Sequence, residues 1–288
     1  MPTYDHQARH ASRLEALLRH IDRHLDQSLP LAELARQSHL SPYHLHRLFS
    51  TWAGENPADY LGRRRLAYAA VLLSCKVEMS VLQVALEVGF GSAEAFARAF
   101  KRQYGQSPSA WRKQQVSNLD QAGGLVQVHA CASEVPVPWL ETRAPQRVAY
   151  RRHIGPYSDV FGGFWQDAMA NWLSECGLPD GDFYGVGHDD PQLTEPARVR
   201  YDACVALSVD WLLPEQVAEQ WLAGGQYAVS HFRGTAQQLP GAWRTLYREG
   251  LPALAVDFAM GPCFERYDAL PDHSGELQCR LYIPVKPR

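Results

Sequence analysis

Apolar residues recur at three- and four-residue spacing from about residue 12 to residue 115, which is the period of helices that bury one face. The helices predicted from this spacing cover residues 12–25, 31–37, 57–75, 81–88 and 107–115. Ser80 and Gln83 have the spacing of a capping box at the start of the fourth. The front of the chain is therefore predicted to be all helical.

Two segments within this region share one pattern at an offset of 51 residues. Each has a Ser as N-cap, an i,i+4 apolar pair, an Arg off the apolar face, a Gly as terminator and a Pro that opens the next helix. The segments are 41–57, with Leu45, Arg47 and Phe49, and 92–108, with Phe96, Arg98 and Phe100. A short helix precedes each, so the pattern predicts two helix-turn-helix motifs joined by the long helix 57–75.

The pattern changes beyond residue 124. Short β-like segments are predicted over residues 125–131, 147–153, 202–208, 226–232, 263–267 and 278–285, and helices over residues 157–176, 214–221 and 239–250. A weaker repeat at an offset of 79 relates residues 147–155 to 226–234, each followed by a helix with an aromatic residue, Phe164 or Trp243. Two strand–helix–strand–strand copies related by a pseudo-twofold predict one antiparallel sheet with helices on one face, an α+β domain with a cleft between its halves.

Length and charge agree with two domains. We predict a domain over residues 1–116, a polar linker over 117–124 and a second domain over 125–288. Residues 1–116 carry 15 Lys and Arg against 10 Asp and Glu, a net charge of +5, while the remainder carries −8. The basic front half favours a polyanionic partner, and the acidic rear half argues against DNA contact there.

Several classes of protein are disfavoured. The N-terminus lacks the apolar segment of a signal peptide, and no apolar run approaches the roughly 20 residues of a membrane-spanning helix, so a cytoplasmic protein without membrane contact is expected. The six cysteines are scattered, and no metal-ligand spacing, P-loop, dinucleotide loop or nucleophile elbow is present. Neither a metal nor a cofactor is predicted.

Glu265 is the most informative residue of the rear half. Strand alternation places Glu265 and Tyr267 on one face, and if that face lines the cleft, a carboxylate lies among aromatic rings, a setting that favours lipophilic cations. Candidate neighbours are Tyr157, Trp165, Trp221 and Tyr282. A surface carboxylate is the alternative for Glu265, and Tyr157, Trp165 and Trp221 fit the core as well as the cleft.

The front half resembles the AraC/XylS family of bacterial transcription regulators over residues 12–114. The resemblance rests on an ordered set that includes Leu34-Ala35, Ser41-Pro42, Arg47-Leu48-Phe49, Gly54, Pro57, Arg65, Gly89-Phe90, Arg98, Phe100-Lys101, Gly105, Ser107-Pro108 and Trp111-Arg112. It implies that the second helix of each motif reads a major groove of promoter DNA. The implied contacts are Tyr43, His46 and Arg47 in one groove, Glu94, Ala95 and Arg98 in the next, and Lys101 and Arg102 on phosphates. Phosphate contact is the alternative for Arg47 and Arg98.

The rear half resembles the GyrI-like effector-binding domains. The shared segments are His153–Tyr157, Gly187–Pro191, Arg200–Cys204, Phe264–Tyr267 and Leu281–Val285. The resemblance implies a ligand site at Glu265. We therefore predict a nucleoid-associated bacterial transcription regulator, an activator or a repressor, that contacts RNA polymerase and is controlled by an apolar or cationic small molecule. The alternatives are that the rear domain is a small-molecule hydrolase, which would pair Glu265 with Tyr282 or Tyr267, or a protein-interaction module.

Overall fold

In the computed structural model, residues 13–14, 16–76, 78–114, 137–189, 191, 194–214, 216–259, 261–271 and 275–287 are described. The chain forms two compact units, Met1–His129 and Ala130–Arg288. The predicted linker 117–124 and the predicted strand 125–131 lie outside the described residues. The boundaries at residues 116 and 125 therefore stay predictions.

The first unit is helical, as predicted. Its described helices are α1 (residues 13–23), α2 (Leu31–Gln37), α3 (Pro42–Ala53), α4 (Pro57–Cys75), α5 (Val81–Glu87), α6 (Ala93–Tyr104) and α7 (residues 108–114). Pairs α2–α3 and α5–α6 are the two helix-turn-helix motifs, and α4 joins them. Leu45, Phe49, Phe96 and Phe100 are fully buried, which confirms that they are core residues.

The ends of these helices are set by the residues that the repeat shares. The side chains of Ser41 and Ser92 accept hydrogen bonds from the backbone N–H three residues on, while Gly54 and Gly105 end α3 and α6 with φ of 71° and 74°. Such positive φ angles are open to glycine at little cost. The capping box at Ser80 is also present, since the side chain of Gln83 accepts from the Ser80 N–H at 2.7 Å.

Helix α4 is tied to the rest of the unit by three consecutive arginines. Arg65 donates to the carbonyl oxygens of Leu25 at 2.7 Å and Gln27 at 2.6 Å. From the sequence, Arg65 is expected to pack or pair within the domain, which these bonds confirm. Arg63 and Arg64 are expected from the sequence to be solvated, and this is wrong. Arg63 pairs with Glu55 at 2.7 Å and Arg64 with Asp22 at 2.7 Å, in ion pairs that are largely buried.

The second unit contains nine described strands. They are β1 (Trp139–Arg143), β2 (Gln146–Ile154), β3 (Phe183–Gly187), β4 (Arg200–Ala206), β5 (Ala218–Leu222), β6 (Gly225–Thr235), β7 (Val256–Phe258), β8 (Phe264–Tyr267) and β9 (Glu276–Pro287). The sheet order is β1-β6-β9-β8-β3-β4-β2-β5, with β7 beside β9, and the pairs are antiparallel.

Two helical segments pack on one face of this sheet. Segment α8 comprises Tyr157–Asp159, the π-helical Val160–Met169 and Ala170–Glu175, and α9 comprises Leu239–Thr245, the π-helical Leu246–Gly250 and Leu251–Ala253. The halves β2–α8–β3–β4 and β6–α9–β8–β9 have the same order, and β3 and β8 pair at the centre. The predicted pseudo-twofold strand–helix–strand–strand repeat is confirmed.

The main error in the predicted elements is the helix over residues 214–221. Residues Ala218–Leu222 form the edge strand β5 instead, because Gln220 and Leu222 alternate inward against β2 while their neighbours face out. Strands β1, β3 and β7 were not predicted. The segment of β3 contains two glycines, which weaken the sequence signal of a strand.

Candidate functional site

Helices α3 and α6 present matching exposed faces. Their apolar residues are buried, so the side chains on the opposite side are left in solvent, and these include Arg47 and Arg98. The predicted DNA contacts Tyr43 and His46 are exposed on α3, with Tyr43 at 77%. On α6, Glu94, Lys101 and Arg102 are exposed, and Ala95 is half-buried. Each predicted set therefore lies together on the outer surface of one helix.

A glycine in the turn between α5 and α6 fixes how the second helix-turn-helix motif packs. Gly89, with φ of 79°, follows α5, and a Cβ there would lie 2.6 Å from the Leu25 carbonyl oxygen and 2.7 Å from Arg65 Nη2. A side chain does not fit in this space, so glycine is required on both conformational and steric grounds. The turn of the second helix-turn-helix motif therefore packs directly against the loop that follows α1.

In the second unit, Glu265 is 2% exposed and lies on the helix-packed face of β8. The indole Nε1 of Trp243 donates to its Oε1 at 3.1 Å, and the Tyr201 hydroxyl donates to Oε2 at 3.2 Å. The Tyr157 hydroxyl lies 3.5 Å from Oε1, at the outer limit of a hydrogen bond. Trp243 belongs to the second half of the repeat and both tyrosines to the first, so the carboxylate is held between the halves.

The space for this carboxylate depends on Gly185 of β3. Gly185 pairs directly with Glu265, and a Cβ on Gly185 would collide with Glu265 Oε2 and with the Tyr201 hydroxyl. Gly185 is thus the cross-strand partner that permits the contact between Tyr201 and Glu265. Of the two central strands of the sheet, β3 carries the glycine and β8 carries the acid.

Burial in this apolar setting raises the pKa of Glu265 to about 7, because removal from water disfavours the charged form. The hydrogen bonds from Trp243 and Tyr201 act in the opposite direction and are the smaller effect. Among the described residues, no cationic side chain pairs with Glu265. A buried carboxylate held by neutral donors alone is ready to accept either a proton or an external cation.

Three of the other predicted ligand residues lie around Glu265, at two depths. Tyr157 is half-buried and covers the carboxylate from α8. Trp165 and Tyr267 are fully buried behind it, with ring centroids 5.4 Å apart, and the Trp165 indole donates to the Tyr201 hydroxyl at 3.2 Å. These two form the inner wall behind Tyr201.

Tyr282 and Trp221 do not join this cluster, so the expectation that they lie near Glu265 is wrong. Tyr282 pairs with Phe264, whose side chain points to the opposite face of the sheet from that of Glu265, and the two rings stack 4.8 Å apart. Trp221 is half-exposed on β5, and strands β3, β4 and β2 separate it from β8.

Sequence reasoning did not include Tyr201 and Trp243 among the ligand residues. Both carried a signal, since Tyr201 lies in the Arg200–Cys204 segment and Trp243 is the repeat equivalent of Phe164. Their contact with Glu265 spans 64 and 22 residues of chain, which local patterning does not reveal.

Other acidic residues in the shared segments have structural roles. Asp202 is fully buried and accepts hydrogen bonds from Arg152 at 2.6 Å and His188 at 2.7 Å. Despite the cost of burial, Arg152 and His188 hold the pKa of Asp202 well below its ordinary value. Asp189 and Arg200 form a second buried ion pair at 2.7 Å. These pairs fix the ends of β3 and β4 around the central glycine.

No helix in the described ranges is long and apolar enough to cross a membrane. The same part of the chain gathers no group of three or more His, Cys, Asp or Glu side chains suited to a metal ion.

Comparison with known proteins matches both units. The GyrI-like small molecule binding domain matches residues 138–286, and a helix-turn-helix domain matches residues 34–114. The chain is 25% identical over 293 residues to the transcriptional regulator Rob of Salmonella typhimurium, covering 94% of this chain and 96% of Rob. It is 35% identical over 103 residues to the regulatory protein SoxS of Escherichia coli, covering 36% of this chain and 95% of SoxS. A solved structure of the DNA-binding domain of AdpA, in complex with a target DNA, is 29% identical and covers 38% of this chain and 98% of that domain, with a TM-score of 0.37.

Proposed function

Because the chain belongs to the GyrI-like small molecule binding family, which matches just over half of its length, we propose that its second unit binds a lipophilic cation at Glu265. The chain is an AraC-family DNA-binding transcription regulator. The cation would be the effector that controls its action on a promoter, and no catalysis is required. We also propose that it acts on the nucleoid in the cytoplasm, through contact with RNA polymerase.

The observation that carries the ligand proposal is the lack of an internal cation for Glu265 among the described residues. The neighbouring buried acids, Asp189 and Asp202, each have an arginine at 2.7 Å or less. Glu265 has instead two firm neutral donors and a surrounding of aromatic rings. A cation that enters would supply the missing charge, and each well-placed ring would add about 0.5–2 kcal/mol.

The half-buried side chains of Tyr157 and Trp243 contact the carboxylate from α8 and α9, and the half-buried Phe161 packs against the Tyr157 ring. Binding therefore requires these rings to part. Segment α8 is suited to such a movement because residues Val160–Met169 are π-helical and Gly163, with φ of 164°, kinks the segment. Departures from α-helical hydrogen bonding of this kind recur at functional sites.

For DNA, we propose that α3 and α6 enter successive major grooves on one face of the duplex, about 34 Å apart. Arg47 and Arg98 would each give a bidentate pair of hydrogen bonds to a guanine, with Tyr43 and His46 beside Arg47, and Lys101 and Arg102 on phosphates. The exposed, matching positions of the two arginines support this placement.

Calorimetry with tetraphenylphosphonium and the neutral triphenylphosphine oxide tests the ligand proposal on the full chain. Glu265→Gln keeps the shape and removes the charge, so the affinity for the cation should fall at least tenfold while that for the neutral compound changes little. Glu141→Gln is the matched control, because Glu141 lies against Tyr282 on the other face of the sheet. If Glu265→Gln binds the cation as tightly as the parent protein, charge recognition at Glu265 is refuted.

The predicted hydrolase pairs of Glu265 with Tyr282 or Tyr267 are not found among the hydrogen bonds of the described residues. The hydrolase alternative has instead the contact of Glu265 with the Tyr201 hydroxyl at 3.2 Å. An activated ester incubated with the full chain and with Glu265→Gln distinguishes the two functions. Turnover that is lost in the variant would make the second unit an enzyme. Cation binding without turnover supports the sensor.

A further inference from the structure

The two reading helices differ in charge at the outward position of their first turn. The 51-residue repeat aligns Tyr43 of α3 with Glu94 of α6, and each stands in the first turn of its helix, four residues before the arginine. Residues four apart on a helix are neighbours on one face. Arg47 therefore has an uncharged, exposed ring beside it, whereas Arg98 has a carboxylate.

The carboxylate of Glu94 lies at the N-terminus of α6. Hydrogen bonds from its own backbone N–H and from Ser92 lower the pKa of Glu94, and the nearby charge of Arg98 contributes in the same direction. The first turn of α3 contains no acidic residue. The equivalent end of α3 is thus open to a phosphate, while a fixed negative charge already occupies that of α6.

We infer that Glu94 makes the two readers unequal, because it gives α6 a selectivity for a cytosine that α3 does not have. This inference rests on the proposed entry of α6 into the major groove. A carboxylate there repels the phosphates on both sides and is compensated only where a base offers an amino donor. Cytosine N4 is the donor that Glu accepts from in this groove.

The position of Arg98 explains why it does not by itself offset the repulsion between Glu94 and the phosphates. Arg98 is exposed on the same face as Glu94, and when it binds a guanine its donors would bond to O6 and N7. The carboxylate then needs a second donor from the DNA. A guanine and a cytosine within reach of one helix face satisfy both side chains, and other combinations leave Glu94 without a donor from the DNA.

The experiment selects bound duplexes from a pool with a randomised core of about 30 base pairs, using the full chain and Glu94→Gln. We expect the variant to bind the unselected pool about three- to tenfold more tightly and to lose roughly fivefold or more of the preference at one cytosine. Tyr43→Glu places the same carboxylate on α3 and should weaken binding to the whole pool. Glu175→Gln, an exposed acid of the second unit, controls for net charge.

Arg98→Ala separates the two levels of failure. If Arg98→Ala changes the selected sequences and Glu94→Gln does not, the inference about Glu94 is wrong while α6 remains a reader. If neither variant changes them, α6 does not enter the groove and the proposed DNA contacts of the second motif fail as well. A Glu94→Gln variant that only melts earlier, with unchanged DNA binding, reduces Glu94 to a helix-stabilising charge and overturns the inference.

Discussion

Gly185 and Glu265 are direct partners across the central β3–β8 pair, and the absent side chain of Gly185 leaves the space that the Glu265 carboxylate and the Tyr201 hydroxyl share. The acid is thus accommodated by the backbone of the opposite half of the repeat. A carboxylate at this central position is possible because its partner strand has no side chain there.

Gly185→Ala should therefore disturb the ligand site without preventing the protein from folding. Its Cβ would push Tyr201 and Glu265 apart, and overpacking of this kind typically costs about 1–3 kcal/mol. We expect weaker cation binding together with a lower midpoint of urea unfolding. Gly241→Ala on α9, where a Cβ meets open space, is the control and should leave both unchanged. A Gly185→Ala protein with parental cation affinity would contradict the shared-space explanation.

Stability should depend on pH through Glu265. Burial raises its folded-state pKa from the ordinary 4.5 to about 7, so between these values the folded protein keeps a proton that the unfolded chain has released. The stability associated with this proton is fully present below about pH 4.5 and is lost as the pH rises towards 7. The shift corresponds to roughly 3 kcal/mol.

Glu265→Gln has no such proton, so its stability relative to the parent protein should rise between pH 5 and pH 8. Urea unfolding of both proteins across this range measures the difference. A difference that stays constant with pH would show that Glu265 titrates as an ordinary exposed acid.

Local signals in the sequence were sufficient to predict the first unit. The caps Ser41 and Ser92, the terminators Gly54 and Gly105 and the apolar pairs act within a few residues of chain, and the structure has them as predicted. The partners of Arg63 and Arg64 were missed because Glu55 and Asp22 approach through tertiary packing, which helical spacing does not encode.

The ligand cluster was predicted only in part for the same reason. Strand alternation correctly placed Glu265 and Tyr267 on one face. Alternation shows which residues of one strand share a face, but it does not show which residues of a neighbouring strand lie on that face of the sheet. For this reason Tyr282 was predicted on the face of Glu265, whereas it lies on the opposite face. The segment of β5 is too short for its periodicity to separate helix from strand, and only the pairing with β2 decides it.

Arg47→Ala and Arg98→Ala should each weaken binding to a selected DNA site by about 1–3 kcal/mol and leave binding to random DNA nearly unchanged. The reason is that bidentate contacts to guanine discriminate between bases, whereas phosphate contacts do not. Gel-shift titration on both DNAs, with thermal melts to confirm folding, measures this. Equal losses on both DNAs would make the two arginines phosphate ligands.

One chain should occupy one asymmetric site. Two reading helices in a single unit remove the need for a symmetric dimer, so a monomer should protect about two helical turns of duplex. Analytical ultracentrifugation of the complex with a labelled duplex determines the stoichiometry. Binding that occurs only as a dimer on inverted repeats would rule this arrangement out.

Arg65→Lys should destabilise the first unit. The guanidinium reaches two carbonyl oxygens at 2.7 and 2.6 Å, and lysine does not reproduce this fork, so we expect a loss of about 1–3 kcal/mol. Arg36→Lys is the control, because its ion pair with Glu33 is on the surface and its side chain is 74% exposed. In urea unfolding, Arg65→Lys should have a lower midpoint than Arg36→Lys. Equal midpoints would show that Arg65 does not stabilise the tertiary structure.

The repeat in the second unit is unequal at its centre, where one half has the Glu265 carboxylate and the other has Gly185. Under the proposed function, each regulator therefore carries a single receptor for its effector, because a side chain at Gly185 would occupy the space of the carboxylate. Occupancy of a lone site follows a simple hyperbola, with no threshold and no steepening. A promoter governed by one such chain would respond to the effector in a graded manner, with its half-maximal output near the dissociation constant of the ligand.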